Sequence, residues 1–446
     1  MTTEFDVLIV GAGAAGLAAG RLLAESGLRT AILEARDRVG GRILTQHVAA
    51  GGRRIPIELG AEFIHGLPRA SWAIVREAHL PAYELEGSQL RLQDGRPLTE
   101  DEPRGGPHEI LEGMVDWLTK QPPGCDMSFA QYVESIGVGA PSAEAAGNYV
   151  EGFNAAEKNR IGIASLARQQ RAEDAIEGDR VFRISTGYDA LPQFLAAQFT
   201  KAGGVLELQA PVRKIEWRSG EATLSVRGAN HGGFRAKRAL VTVPLGVLQS
   251  DAIEFQPRPE QILVPARALA MGAAVRVVLV FRTRFWTEIP GLPLEDLSFL
   301  STPGSTPATW WTSMPDRSAL ITAWAGGPRA SALARMTAPG EALLEHCLAA
   351  LGRALGLPIS KLRAELASWH THDWLRDEFA LGAYSYVPAG ALYAPERMTC
   401  PVENTLYFAG EHTDLSAHWG TVHAALDSGY RAARSVLSSL ECPGSE

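Results

Sequence analysis

The sequence predicts an α/β protein of two domains. One is built on a parallel sheet and assembled from three separated segments; the other is an α+β unit made from the pieces between them. Three observations carry that expectation. A strand, a glycine-rich turn, a helix and a second strand follow one another over residues 5–34. A short strand at 405–408, then Ala409-Gly410-Glu411, then an apolar-striped helix stand near the other end. Two series of short strands, over 205–243 and 274–326, lie between them. The expected division is 1–75, 195–285 and 385–446 for the first domain, and 76–194 and 286–384 for the second.

The opening unit is the most informative. Residues 5–10, FDVLIV, read as a buried parallel strand. Gly11-Ala12-Gly13-Ala14-Ala15-Gly16 follows, then a helix over 17–26 with Gly27 placed to end it, then a strand over 30–33 that stops at Glu34. The three glycines serve different ends. Gly11 allows a tight turn, Gly13 lets a pyrophosphate approach the backbone, and Gly16 lets helix and strand pack closely. The helix N-terminus offers free N–H groups and the positive end of its dipole, and Glu34 is placed to accept from a ribose. A Rossmann-like dinucleotide site is therefore expected. The following loop, Glu34-Ala35-Arg36-Asp37-Arg38-Val39-Gly40-Gly41-Arg42, is basic and flexible enough to fold over a pyrophosphate.

The remaining elements are read from periodicity. Residues from about 75 to 190 are expected to be mostly helical, broken at Pro122-Pro123 and Pro141. Strands return at 205–208, 212–217, 222–226 and 239–243, with Pro244 closing the set. Others are expected at 297–300, 308–314 and 319–326, followed by an amphipathic helix from about 341 to 355. The last helix carries small or apolar residues at Val422, Ala425, Leu426, Gly429, Ala433, Val436 and Leu440. One strand is anomalous. The run 274–281, AVRVVLVF, is apolar except for Arg276, which cannot shed its charge and must find a partner or a cavity.

Composition excludes several classes. The chain has 446 residues, 46% hydrophobic and 21% charged, with ample material for a large core. Its net charge of −8 argues against nucleic-acid binding. The cysteines at 125, 347, 400 and 442 form no CxxC pair, so no metal site is expected and a reducing, cytoplasmic setting fits best. The start, MTTEFDVLIV, has no basic leader, and the apolar stretch 7–20 is too short and glycine-rich for a membrane span.

Several stretches together resemble FAD-dependent amine oxidases: monoamine oxidases, polyamine oxidases and lysine-specific histone demethylases. They are Glu34 to Arg42, Leu59-Gly60-Ala61-Glu62-Phe63-Ile64-His65-Gly66, 239–248, Trp369 through Trp374 to Val387, and Tyr407 to Thr413 with Thr421-Val422-His423. The resemblance spans most of the chain in order, and its C-terminal part is most similar to the demethylase and polyamine branch. It implies FAD held by Gly11, Gly13, Ala15, Gly16, Glu34, Ala35, Arg36, Gly41, Arg42, Gly60, Ala61 and Glu62. It further implies adenine held by the backbone of Val212, the flavin-to-diphosphate linker by Gly410 and Glu411, and the flavin carbonyl by the N–H of Val422 beside Thr421.

On the substrate side the resemblance implies a small-molecule amine beside Tyr384, with Thr421 at the second cage position. Trp374 and Trp369 would be walls, and His65 a contact to substrate nitrogen. Ala383 stands where monoamine oxidases carry the flavin-bonding cysteine, so FAD is expected to be noncovalent. Arg276 stands where the family has a lysine facing flavin N5. Its charge is expected to be satisfied by a water or the flavin, with a structural carboxylate as the other possibility. The catalytic set expected is thus Arg276, Tyr384 and Thr421, and His412 and His423 are expected to be structural.

The expected reaction is oxidation of a primary or secondary amine, polyamines included, through an imine to an aldehyde or ketone, with dioxygen as acceptor. Three alternatives remain open. One is a dehydrogenase or desaturase that reacts poorly with dioxygen. Another is a peptide demethylase, disfavoured by the lack of a long coiled-coil insertion. The third is a non-catalytic flavoprotein.

Overall fold

The computed structural model describes residues 4–50, 52–98, 107–122, 124–227, 233–336 and 340–441; Pro123 and Cys442 lie outside them. Strand Glu4–Val10 is central because both of its faces are apolar: Val7, Leu8 and Ile9 are fully buried. It pairs in parallel with Thr30–Leu33 on one side and Phe234–Val241 on the other. Val205–Glu207 extends the sheet beyond Thr30–Leu33. Glu221–Val226, Val212–Arg218 and Glu254–Gln256 extend it the other way, and Leu406–Phe408 adds to Phe234–Val241. Distant parts of the chain thus meet in one eight-stranded sheet.

Helix Ala14–Glu25 covers this sheet and is itself covered by helix Val422–Glu441. The two approach closely at Gly429, where a Cβ would lie 2.2 Å from the carbonyl oxygen of Ala15. The small-residue stripe read from the sequence therefore serves backbone contact as well as apolar burial.

The second sheet has seven strands. Their order is Leu366–Thr371, Ala274–Phe281, Leu320–Gly326, Thr309–Trp311, Leu297–Ser301, Ser88–Gln93 and Arg96–Pro97. All eight residues of Ala274–Phe281 are buried. This strand sits in the second sheet, so the expected first-domain segment 195–285 runs past the sheet boundary; the change of sheet falls before Ala274. The helix expected at 341–355 is present as Glu341–Leu355 and packs on this sheet. Trp369 joins that packing from Leu366–Thr371 and is not a cavity wall.

The expectation of a mostly helical stretch from 75 to 190 holds for helices Pro107–Thr119, Phe129–Ser135, Ala140–Asn154 and Ile163–Asp174. It fails at Ala82–Glu84, Ser88–Gln93 and Val181–Ile184, which are strands. Their partners are remote: Ser88–Gln93 pairs in parallel with Leu297–Ser301. Such non-local pairing leaves little periodic signal in a short polar segment. No single helix among the described residues is long and apolar enough to cross a membrane.

Candidate active site

One continuous cavity of about 900 Å³ runs from the first glycine loop, past the junction of the two sheets, to the inner face of the second. Its first part is a groove. Helix Ala14–Glu25 begins at Gly13, which provides no side-chain cap, so its first N–H groups have no intrahelical partner. A Cβ at Gly13 would meet nothing within 4 Å, so this residue faces open groove. Gly41 lies across from it, with a notional Cβ 3.3 Å from the Gly13 Cα. Gly11, with φ of 104°, makes the turn itself. Gly16 does not line the groove. A Cβ there would sit 2.0 Å from the Gly11 carbonyl oxygen, so it acts by packing.

Glu34 is buried and accepts from the N–H of Ala12 at 2.7 Å and of Arg36 at 2.9 Å. Burial pushes its carboxyl above the ordinary range, against those two bonds. Ala35, Gly60, Ala61, Val212, Gly410 and Val422 all line the cavity, as does Ala15. Gly60 is obligatory for another reason: a Cβ would fall 1.9 Å from the Arg42 carbonyl oxygen.

The arginines of the second loop are committed elsewhere. Arg36 binds Asp377 through two contacts of 2.9 and 2.7 Å and lies over the rings of Trp374 and Phe379. It is a clamp between loops rather than a free diphosphate ligand. Arg38 donates to the carbonyls of Val39, Gly41 and Ile43 and so braces its own loop. Arg42 donates to Ala383 O and to Glu411, each at 2.9 Å. Glu411 also accepts from Gly420 N–H and from Ser385. Burial works against its charge, but Arg42 and these donors outweigh it and hold the carboxyl below its ordinary value. The uncapped helix start, the open face at Gly13 and the buried Glu34 fit a dinucleotide, with Arg36 and Arg42 also lining the groove.

Arg276 has its partners in the protein. Its Nη2 pairs with Glu62 at 3.1 Å, and its Nη1 donates to Glu58 O at 3.0 Å and Gly60 O at 2.7 Å. Its guanidinium lies beside the rings of Trp311 and Trp324, 5.2 and 5.6 Å from their centroids. The expectation that water or flavin satisfies this charge is corrected; a structural carboxylate does so. Glu62 lines the same cavity, and its carboxylate is shared among Arg276, Arg183 and the Trp311 indole N–H.

Glu58 accepts from Thr45 Oγ1 and Tyr188 N–H, and burial pushes its carboxyl up to about 8. The folded state therefore holds a proton that the unfolded chain releases near 4.5. The stability tied to this group is present below about 4.5 and is lost as pH rises to about 8. Glu58→Gln is expected to flatten the fall in melting temperature over that window; an unchanged slope would refute the assignment.

The rest of the cavity is a chamber between the domains. The Tyr384 hydroxyl donates to Phe153 O at 2.6 Å, leaving the ring face to the cavity. Gly420 packs on that ring so closely that a Cβ would lie 2.9 Å from Cδ2. Thr421 lines the cavity, but its hydroxyl donates to His418 O and accepts from Ala424 N–H as a helix cap. It thus caps helix Val422–Glu441 from the cavity wall. Trp374 donates its indole N–H to Leu59 O at 2.7 Å and presents its ring. The His65 imidazole makes no hydrogen bond to another described residue, although its backbone pairs with Val181. It lies edge-on to Phe63 and Phe153, and burial drives its imidazole down to about 4.

His412 is buried away from the cavity. His423, expected to be structural, instead lines the wall with its ring 4.7 Å from that of His418. Sequence reading missed Phe63, Phe153, Phe299, Trp311 and Trp324 as chamber walls, and Arg183 behind them. The alternation in TWW at 309–311 and in 320–326 was the available signal, since it puts Trp311 and Trp324 on neighbouring strands.

The chain belongs to the flavin containing amine oxidoreductases, whose family profile matches residues 14–437. It is an FAD-dependent member of that class, and FAD is the group that the groove is built to hold. Polyamine oxidase 3 of Oryza sativa is 26% identical, with 96% of this chain and 88% of that protein aligned. Lysine-specific histone demethylase 1 homolog 2 of Oryza sativa is 28% identical over 98% of this chain, which spans only 57% of that relative. Among solved structures, putrescine oxidase bound to putrescine superposes with a TM-score of 0.82 at 22% identity, covering 98% of this chain and all of that one. Cyclohexylamine oxidase from Brevibacterium oxydans gives 0.81 at 20%, covering 99% and 100%. At these identities the structural likeness is one of fold.

Proposed function

We propose that the protein oxidises a primary or secondary amine to an imine, which water hydrolyses to an aldehyde or ketone. One observation carries this reading: the dinucleotide groove and an aromatic chamber form a single cavity. FAD, which the Gly11–Gly13 turn, Glu34 and the start of helix Val422–Glu441 would hold, would supply a hydride acceptor for the amine's α-carbon and an electron route to dioxygen, giving hydrogen peroxide. The protein's part is placement. Tyr384, held by Phe153 O and Gly420, offers a rigid ring face against which an uncharged amine can lie. His65, kept neutral by burial, can exchange a hydrogen bond with the substrate nitrogen without adding charge. Loss of water around a charge inside the chamber disfavours the ammonium form, so the amine enters the reaction as its free base. Val422, at the start of its helix, directs backbone N–H groups and a positive dipole end at the cavity, where electron-rich flavin would be stabilised. Ala383 supplies no thiol and no described cysteine lines the cavity, which supports noncovalent FAD.

The test is anaerobic mixing of the holoenzyme with aliphatic, aromatic and polyamine substrates, followed by admission of air. Flavin bleaching by at least one amine is expected; no bleaching by any of them would leave a non-catalytic flavoprotein. A second reading is favoured by Arg276. Its guanidinium is fixed by Glu62, Glu58 O and Gly60 O and cannot exchange protons as a lysine would. A dehydrogenase with another electron acceptor would show bleaching but very slow recovery in air. His65→Ala is expected to raise the amine KM about tenfold with little change in melting temperature, since no protein hydrogen bond is lost. An equal KM would remove His65 from the site.

A further inference from the structure

Two histidines on the cavity wall have no task in the reaction as derived. His418 and His423 are both buried, and their rings meet edge to face at 4.7 Å and 74°. The Nε2 of each is buried without a hydrogen-bond partner, a state that calls for a reason. The hydrogen bonds behind His418 fix its tautomer. Asp414 accepts from the Ser416 hydroxyl at 2.7 Å and from the His418 backbone N–H at 2.9 Å. The Ser416 hydrogen is thereby committed to a carboxylate, so its oxygen accepts from His418 Nδ1 at 2.9 Å. Neutral His418 therefore carries its hydrogen on Nδ1 and a lone pair on Nε2. This order is not that of a nucleophilic serine, whose hydrogen would point at the ring. Asp414 is buried, whereas Ser416 reaches solvent. A line of polar groups thus runs from the cavity wall to the surface.

We propose that His423, His418 and Ser416 form a proton exit from the chamber, with Asp414 balancing the charge in transit. This rests on the amine-oxidase reading. An alkylamine reaches the protein as ammonium at neutral pH, but hydride leaves only from the free base, so one proton must depart. The seated amine occupies the path by which it entered. His423 stands within electrostatic reach of His65, the proposed contact of the substrate nitrogen. Burial, and after it His418 and His65, push the His423 imidazole down to about 3, so it rests neutral with one lone pair and one N–H. The ammonium proton arrives at His423 Nδ1 as the Nε2 hydrogen passes to His418 Nε2. The Nδ1 hydrogen of His418 passes to Ser416, whose own hydrogen goes to water. One positive charge leaves the chamber, no electron moves, and each ring ends neutral with its hydrogen on the other nitrogen. Hydrogen peroxide takes one hydrogen as the hydride and needs one further proton. A proton returning along the same line supplies it and resets both rings. Asp414, Asp427, Arg431 and Arg434 are charged groups around the line, with His65 beside it.

The experiment mixes the holoenzyme anaerobically with hexylamine, benzylamine and spermidine over a range of pH and follows flavin bleaching. Ser416 is exposed and lies outside the cavity, so Ser416→Ala is expected to fold and to bind each amine as wild type does. It should bleach at least about tenfold more slowly at neutral pH. The gap should close as pH rises toward the amine's own pKa, about 10, because the amine then arrives uncharged. Ser416→Thr, which keeps the hydroxyl, should restore most of the rate, and His423→Gln should repeat the pattern of Ser416→Ala. A Ser416→Ala rate equal to that of wild type, or a loss that is the same at every pH, overturns the proposal and leaves the oxidase reading standing. The tautomers are read separately, by nitrogen NMR of histidine-labelled holoenzyme without amine. Hydrogen on Nδ1 of His418 and on Nε2 of His423 is expected; hydrogen on Nε2 of His418 overturns the relay whatever the amines do. No bleaching by any of the three amines removes the oxidase reading, and the relay with it even where the tautomers are as expected.

Discussion

A Gly16→Val chain is expected to yield neither flavin absorbance nor a cooperative melting transition, whereas Gly13→Ala is expected to fold and lose only the flavin. The two glycines lie three residues apart and fail for different reasons. At Gly16 a Cβ would overlap the Gly11 carbonyl oxygen and crowd Thr242 Oγ1 at 2.8 Å, so the helix could not seat on its strand. At Gly13 the backbone is extended and a Cβ has open space around it. An alanine there costs the fold little but stands in the groove where the pyrophosphate must approach the helix start. FAD affinity should fall at least about tenfold, with the apoprotein's melting temperature unchanged. Flavin content after purification and thermal melts of the apoprotein separate the two. A flavin-replete Gly13→Ala protein would show that the pyrophosphate does not approach the helix start at Gly13.

The second large effect is expected at Arg276. Arg276→Met should destabilise the holoenzyme by about 3–5 kcal/mol in chemical denaturation, the range for removing one partner of a buried ion pair. It strips a cation from Glu62, leaves Glu58 O and Gly60 O without their donor, and removes the charge that lies against two indole rings. Arg276→Lys restores charge but reaches fewer acceptors, so it should recover part of the loss. The same lysine variant bears on reoxidation: faster recovery of the bleached flavin in air than in wild type would tie slow dioxygen chemistry to the fixed guanidinium. A loss of stability below about 1 kcal/mol in Arg276→Met would mean that the cluster is solvated and not the closed network described.

What could be read in advance was what is contiguous. The unit from Phe5 to Glu34 has strand, turn, helix and acid in register within a single stretch, and the role of each glycine follows from local geometry. The strand around Arg276 was equally visible, and so was the need for a partner. Which partner was not visible, because Glu62 and Arg183 arrive from separate parts of the chain. Their convergence depends on the register of the second sheet, set by pairings such as Arg276 opposite Trp324. Arg36 shows the same limit. Beside a ribose acid it reads as a diphosphate ligand, but its actual partner, Asp377, lies 341 residues away. The hydroxyls of Tyr384 and Thr421 were placed at the cavity correctly, yet both are spent on backbone partners that no linear motif announces.

The close crossing of helix Val422–Glu441 over helix Ala14–Glu25 has a consequence for biosynthesis. The segment that forms the glycine turn leaves the ribosome first, but the helix packed against its Ala15 carbonyl is among the last parts of the described chain to be made. Strand Leu406–Phe408, which completes the pairing of Phe234–Val241, is also late. Domains generally fold as units as they emerge. Here the nucleotide domain cannot do so, because its sheet and its covering layer wait for residues beyond 400. The groove that would take FAD is therefore complete only once strand Leu406–Phe408 and helix Val422–Glu441 have been made.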